Sequence, residues 1–341
     1  MKFLQGMRWF FFDKSSAAQR TRWVAKLVLL IVLFVTLFWV VDMRAVALSL
    51  ANANPLYVVL GMILSIPYVY LNAFQLWLLT RIEGISLSIW QILVINLTIR
   101  FYLLFMPGTI VGSGMRWYKL SKPDGKSAEA LAAVAFNRLF ETFLVVVLGL
   151  GFWMLSEERK VQINEGGMVL LILGTIIFWF VFTRTSSSLS KWIAVRAVNI
   201  PKDSLMWWGL DKTRKFLSAI AVYANFPAWD LLLLIGAGIT RHLIGIVAFM
   251  AFALAVGIQL SFLNSGWIRS LVSLFSMLPI SIAGGLGVRE VGLVALLSAF
   301  GISAAQALSF SLLFFARDVI IGLIGGLLEF LQTSRSNSPI K

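Results

Sequence analysis

The chain has 341 residues, of which 60% are hydrophobic and only 13% charged, and its mean hydropathy is +0.90; too little polar surface remains to cover a water-soluble core. Cys is absent and His occurs once, as His242, which argues against disulfides, thiol nucleophiles and Cys or His metal clusters. The formal charge of +14 points to Lys and Arg gathered in cytoplasmic loops beside anionic headgroups rather than to nucleic acid. The expected class is an all-α polytopic membrane protein with no metal, no cofactor and anionic lipids as first partners.

Residues 1–22 carry Lys2, Arg8, Lys14, Arg20 and Arg22 and read as a basic cytoplasmic segment. The apolar run 23–41 is long for a signal peptide and reads as a retained helix, although Ala45-Val46-Ala47 beyond it resembles a cleavage site. Further apolar stretches occupy 56–79, 87–106, 131–155, 168–182, 231–257, 267–279, 291–301 and 304–331. A span takes roughly 20 residues, so 267–279 and 291–301 are too short. The 87–106 stretch is interrupted by Asn96 and Arg100 and ends on Pro107-Gly108. The expectation is about six spanning helices plus two re-entrant or broken hairpins, with eight spans as the alternative. Residues 189–226 set Trp192, Trp207 and Trp208 among Lys191, Arg196, Lys212, Arg214 and Lys215, a pattern suited to a helix in the headgroup plane. No long linker divides the chain, so 23–331 reads as one domain and 332–341 as a cytoplasmic tail. With six spans, 19 of the 29 Lys and Arg fall in inside loops and three in outside loops. That bias places both termini in the cytoplasm of a multi-pass inner (cytoplasmic) membrane protein.

Two stretches resemble each other. Met106-Pro107-Gly108-Thr109-Ile110-Val111-Gly112-Ser113-Gly114-Met115-Arg116 and Leu278-Pro279-Ile280-Ser281-Ile282-Ala283-Gly284-Gly285-Leu286-Gly287-Val288-Arg289 share a Pro, an Ile three residues on, a Gly five on, a second Gly and an Arg two beyond it. Pro ends a helix and Gly frees the backbone to face a ligand. At membrane depth such backbone is tolerated only inside protein or along a wet cavity. Pro107, Gly108, Gly112 and Gly114 in one element, with Pro279, Gly284, Gly285 and Gly287 in the other, are the expected hinges of an inverted repeat with its site between the halves.

An ionisable group at bilayer depth costs roughly 2.5–3.5 kcal/mol on insertion scales, so each interior charge requires a partner or a function. Arg138 and Glu141 are three apart and are expected to pair along their own helix. Arg317 and Asp318 are neighbours about 100° apart on a helix, and each is expected to seek a partner on another helix. His242, beside Arg241, reads as a satisfied interior histidine. The interior acids Glu141, Glu290 and Asp318 face Arg100, Arg138, Arg241, Arg289 and Arg317, with Arg116 closing the first glycine element. Unmatched guanidinium charge calls for an anionic ligand, and the planar Arg fork binds phosphate oxygens bidentately. The alternative is that some of these arginines snorkel or bond broken-helix carbonyls. Gly322 and Gly326 form a small-xxx-small pattern for close helix approach.

The run from Leu278 to Glu290, with its Leu-Pro, glycine turn and Gly287-Val288-Arg289-Glu290, resembles the signature of the lysylphosphatidylglycerol synthase transmembrane region, a flippase-like family. The first glycine element, Asn137-Arg138-Leu139-Phe140-Glu141, and Gly301-Ile302-Ser303 with Gln306-Ala307 and Arg317 are similar to other parts of it, over roughly residues 20–331. The first element departs from the family pattern in reading Thr109-Ile110-Val111-Gly112-Ser113 where a denser glycine run is usual. The resemblance implies movement or binding of a phosphate-bearing lipid, a phospholipid or a polyprenyl-phosphate-linked saccharide, without aminoacyl transfer. Two other readings stand beside it. One is a membrane-embedded glycosyl or phosphoryl transferase, for which no Asp-x-Asp pair is present. The other is a non-transporting lipid-binding partner of envelope-biosynthesis proteins.

Overall fold

The computed structural model describes residues 42–105, 109–156, 165–197, 205–276 and 288–336, and every regular element among them is helical. The apolar run 23–41, Pro107, Gly108, Pro279, Gly284, Gly285 and Gly287 lie outside the described residues. Helix α1 (Met43–Ala51) starts on Asp42, whose side chain accepts from the backbone of Arg44 and Ala45. Helix α2 (Pro55–Ile82) starts on Asn54 with Pro at its first position, the start where a missing N–H costs nothing. It ends at Glu83 and Gly84, the latter at φ +68°, the left-handed region that glycine enters freely. Ser88 and Gln91 cap α3 (Ile89–Phe105) reciprocally.

Helices α4 (Thr109–Ser121), α5 (Ser127–Leu155), α6 (Glu165–Ala197) and α7 (Leu205–Val222) follow. After a 3-10 turn at Tyr223–Asn225 come α8 (Ala228–Ala255), α9 (Phe262–Ser276), α10 (Val288–Ser298) and α11 (Ala304–Ser336). Among the described residues four segments are long and apolar enough to cross a membrane: α2, α5, α8 and Ala304–Leu331 of α11. At 1.5 Å per residue, 28 residues extend about 42 Å, more than the ~30 Å hydrocarbon core. Helices α3, α9 and α10, with 17, 15 and 11 residues, are the short ones foreseen. Two expectations change. Gly112 and Gly114 lie inside α4, so the first glycine element is helical from Thr109 onward. Residues 189–226 form no single helix: 189–197 end α6, and α7 is separate.

The packing has a two-part order. Helices α2 to α5 correspond to α8 to α11 in sequence order, and apart from the contact of α5 with α8, exchanging the two sets turns the packed pairs among them into one another. Thus α3 packs on α11 and α9 on α5, α4 on α5 and α10 on α11, α2 on α3 and α8 on α9. Helix α1 packs on α11 as α7 packs on α5. The equivalent helices α2 and α8 lie side by side and antiparallel. Arg81 at the end of α2 pairs with Asp230 at the start of α8 at 2.6 Å, and Asn54 at the start of α2 bonds the Ala255 carbonyl at the end of α8. An antiparallel relation between equivalent helices is what an inverted repeat requires.

The two ends of the bundle differ in charge. Arg81, Lys119, Lys126, Arg214 and Lys215 gather at the end where Lys119 pairs with Glu329 and Lys126 bonds the Gly84 carbonyl. Toward the opposite end Phe249, Phe252, Trp267, Ile268 and Phe310 form an apolar core, Ser156 donates to Asn264, and Asp42 and Arg44 are the charges beside it among the described residues.

The seam between α3 and α11 is built on glycine. Gly322 faces Leu104, Gly326 faces Phe101, and Gly325 rests on the Leu97–Thr98 backbone. Because backbone cannot rotate away as a side chain can, Gly325→Ala is expected to destabilise by about 1–3 kcal/mol, the overpacking range, and Gly325→Leu to prevent folding. Gly236→Ala, at an open position, is the neutral control; thermal unfolding in detergent reads all three.

Candidate functional site

Midway along the bundle the two halves bring their charges together. Tyr68 and Arg241 hold equivalent places, each fourteenth in its 28-residue helix. Pro67 precedes Tyr68 inside α2. The Tyr68 ring lies beneath two guanidiniums, 5.4 Å from that of Arg241 and 5.6 Å from that of Arg269. Such cation–π contacts gain strength when desolvated.

Two carboxylates organise the arginines. Glu141 of α5 accepts from Asn72 at 2.8 Å and Asn137 at 3.0 Å, and pairs with Arg241 at 3.3 Å. Asp318 of α11 is shared by Arg317 at 2.8 Å, Arg289 at 3.5 Å and Arg100 at 3.6 Å. Arg289 also grips Glu290 at 2.8 Å, and Glu290 accepts from Ser311. Both are nearly enclosed, with side chains 7% and 2% exposed. Arg116 donates to Asn96 at 3.0 Å, within electrostatic reach of Glu141, Arg100 and Arg138. Asn96 in turn reaches Asn72 at 3.4 Å, so a polar chain links the first glycine element to Glu141.

These groups surround a cavity of about 240 Å³ lined by Arg100, Arg138, Arg269, Arg289 and Arg317 against Glu141 and Asp318. A smaller cavity of about 50 Å³ continues it past Tyr68 to Arg241 and His242. Arg138 and Arg269 have no carboxylate within ion-pair distance among the described residues. Arg269 instead donates to His242 Nδ1 at 3.2 Å, while His242 Nε2 meets Ser270 Oγ at 3.3 Å. A histidine accepting from an arginine is neutral, which agrees with the satisfied interior role expected for it. Gly245 of α8 seats the Arg269 guanidinium, because a Cβ there would strike it.

Several sequence expectations are corrected here. Glu141 pairs across to α8 rather than back to Arg138. Arg317 and Asp318 do pair with each other as neighbours, because the long Arg side chain spans the angle between them. Arg289, one of the arginines named for phosphate, is held in this structure by Glu290 and Asp318. Arg269 and Tyr68 were missed. Arg269 had a signal, a cation inside an apolar run too short to cross; Tyr68 carried none beyond the proline before it.

Against the outer side of the same wall lies an apolar groove of about 300 Å³ between α5 and α9, lined by Gly149, Trp153, Trp267, Leu271 and Leu274 among others. Val145 lines both this groove and the small polar cavity. A charged chamber and an apolar slot thus share one residue as partition, the arrangement an amphiphile needs.

The description that matches this chain is the lysylphosphatidylglycerol synthase TM region, over residues 23–326. The chain belongs to that family. Neither the curated proteins nor the solved structures compared with it include a match. As a member of the family the chain carries the membrane region, and within its Val288-Arg289-Glu290 run Arg289 lines the cavity while Glu290 beside it pairs with the Arg289 guanidinium.

Removing one member of a buried pair leaves an uncompensated charge, at a cost of about 3–5 kcal/mol. Glu141→Ala is expected to destabilise by that amount, whereas Glu141→Leu combined with Arg241→Met restores most of it. A double-mutant cycle by unfolding in detergent measures the coupling; additive losses would show that Glu141 and Arg241 do not act as a pair.

Proposed function

We propose that this protein is a lipid translocase that moves an anionic, phosphate-bearing lipid between leaflets through the arginine cavity. The lipid is a phospholipid or a polyprenyl-phosphate-linked saccharide. The observation that carries the reading is the mid-bundle cavity, where five arginines face two carboxylates and Arg138 and Arg269 have no acidic partner among the described residues. A phosphate about 4 Å from one such guanidinium gains roughly 4 kcal/mol at an effective dielectric of 20. The neighbouring apolar groove favours a lipid over a free phosphate, since it offers a place for a chain beside the headgroup.

The antiparallel halves suit alternating access, with α3–α4 and α9–α10 as the broken elements that open in turn. The basic end faces the cytoplasm in this reading and puts both termini there, in the inner (cytoplasmic) membrane. Envelope-biosynthesis proteins are the expected partners upstream and downstream. Glu141 and Asp318 are also the two converging carboxylates that the transferase reading requires. Their engagement by guanidiniums fits counter-ions better than a general acid and base.

Reconstituted vesicles containing acyl-labelled phosphatidylglycerol or an ω-labelled polyprenyl phosphate test this. Wild type is expected to accelerate leaflet exchange of at least one, and Arg138→Gln with Arg269→Gln to slow it at least about tenfold, roughly 1.4 kcal/mol. Exchange equal to that of empty vesicles for both lipids would remove the translocase reading.

A further inference from the structure

A separate cavity, of about 870 Å³, lies at the basic end of the bundle between α7 and the start of α5. None of its lining residues lines the arginine cavity. One wall carries Glu83 and Glu129, the other Arg214 and Lys215. Glu83 is only 9% exposed, and its Oε1 makes no hydrogen bond. The Tyr223 hydroxyl lies against that carboxylate without completing a hydrogen bond of good geometry. Lys126, the nearest cation on the loop, spends its ammonium on the Gly84 carbonyl at 2.7 Å. A buried carboxylate oxygen left without a donor is costly. The Tyr223 hydroxyl is the donor the described residues set beside it, and an N–H group entering the cavity would complete the carboxylate.

The opposite wall has the reverse imbalance. Among the described residues Arg214 and Lys215 share the carboxylate of Asp211, each at 2.9 Å, which leaves one positive charge over there. Between the walls the surface is apolar, and Leu131 and Val222 at its rim are 39% and 41% exposed.

We propose that this cavity binds the headgroup of an aminophospholipid of the phosphatidylethanolamine type, its ammonium on Glu83 and Glu129 and its phosphate on Arg214 and Lys215. A primary ammonium brings N–H donors to the carboxylates as well as a compensating charge, which a trimethylammonium cannot. A phosphatidylglycerol headgroup could place its phosphate on Arg214 and Lys215, but it would set an uncharged glycerol against Glu83 and Glu129, with no ammonium to pair with them. The exposed Leu131 and Val222 mark where acyl chains leave the site. The site is independent of the transport reading and serves to hold α7 against α5 at the membrane surface.

Protonation state supplies a second handle. Burial raises the Glu83 pKa to about 7; the Tyr223 hydroxyl and Lys126 oppose the shift and Glu129 reinforces it. An acid raised in the folded state loses folding stability as pH climbs from its unfolded value, 4.5, to about 7. Lipid-free protein is therefore expected to weaken over that window in detergent, and bound ammonium to offset the loss. Above pH 7 the carboxylate is charged and grips the ammonium, which stays protonated to about pH 10 as a lysine does; at pH 5 the grip is lost.

The test is native mass spectrometry of the full chain in detergent with equimolar phosphatidylethanolamine, phosphatidylcholine and phosphatidylglycerol. At pH 8 the ethanolamine lipid is expected to be retained about tenfold over the choline lipid, the worth of one charged hydrogen bond. Glu83→Gln erases that preference, while Arg138→Gln in the central cavity leaves it intact. Equal retention of the two zwitterionic lipids at pH 8, or a preference that survives Glu83→Gln, overturns the proposal. Should Glu83→Gln fail to fold, wild type decides alone: an ethanolamine preference identical at pH 5 and pH 8 overturns it. Preferred phosphatidylglycerol retention that Lys215→Ala abolishes would assign the pocket to an anionic lipid instead and equally overturn it.

Discussion

A guanidinium at the centre of an apolar helix cannot remain there on the helix's own account, and the way its charge is met governs how the other helices pack. Arg241 sits fourteenth in α8 and is met by Glu141 of α5. Arg317, at the matching depth of α11, is met by its neighbour Asp318, which also draws Arg100 from α3 and Arg289 from α10. Each carboxylate thereby ties its own half to the other. The polar amides Asn72 and Asn137 complete the shell around Glu141, so that carboxylate has little freedom to leave its place. Glycine does the complementary work, since Gly245 makes room for Arg269 and Gly325 lets α11 meet the α3 backbone.

Much of this was legible in the sequence, because hydropathy, helix length and the two glycine elements are local signals. The all-α membrane class, the short helices flanking the breaks, and Arg100, Arg138, Glu141, Arg241, Arg289, Glu290, Arg317 and Asp318 as interior charges all follow from such signals. What a sequence does not contain is who meets whom. Arg138 and Glu141 stand at helical pairing distance, yet Glu141 turns to α8 because Arg241 has no closer acid there. Helical angle alone made Arg317 and Asp318 look unable to pair, but side-chain reach exceeds what the angle of two Cα–Cβ bonds suggests. Tyr68 was invisible because a tyrosine in an apolar run looks like core until two guanidiniums appear on its ring. Glu83 was overlooked for the opposite reason: an acid after a helix end reads as solvated, and only the approach of α7 and the 3-10 turn buries it.

The two halves are alike in helix order and packing but not in charge. Where α8 has Arg241, α2 has Tyr68, and where α11 has an acid beside its Arg, α5 has one three residues on. In consequence one carboxylate serves three arginines and the other mainly one, which leaves Arg138 and Arg269 as the open side of the cavity. An anion entering there meets charge that is already positioned, so little reorganisation accompanies its binding.

The same inequality bears on how such a molecule would move. In an ideal inverted repeat, exchanging the conformations of the halves converts one open state into its mirror at equal energy, and a ligand shifts that balance only through contacts that differ between the states. Here the balance is not equal from the start. Helix α7, 18 residues long, covers α5 and encloses a cavity with a buried acid, whereas its counterpart α1 has nine residues. Whatever occupies the cavity beneath α7 therefore touches one half alone. A contact confined to one half shifts the balance only as far as that half itself differs between the states, and the shorter α1 offers the other half no matching contact to cancel it.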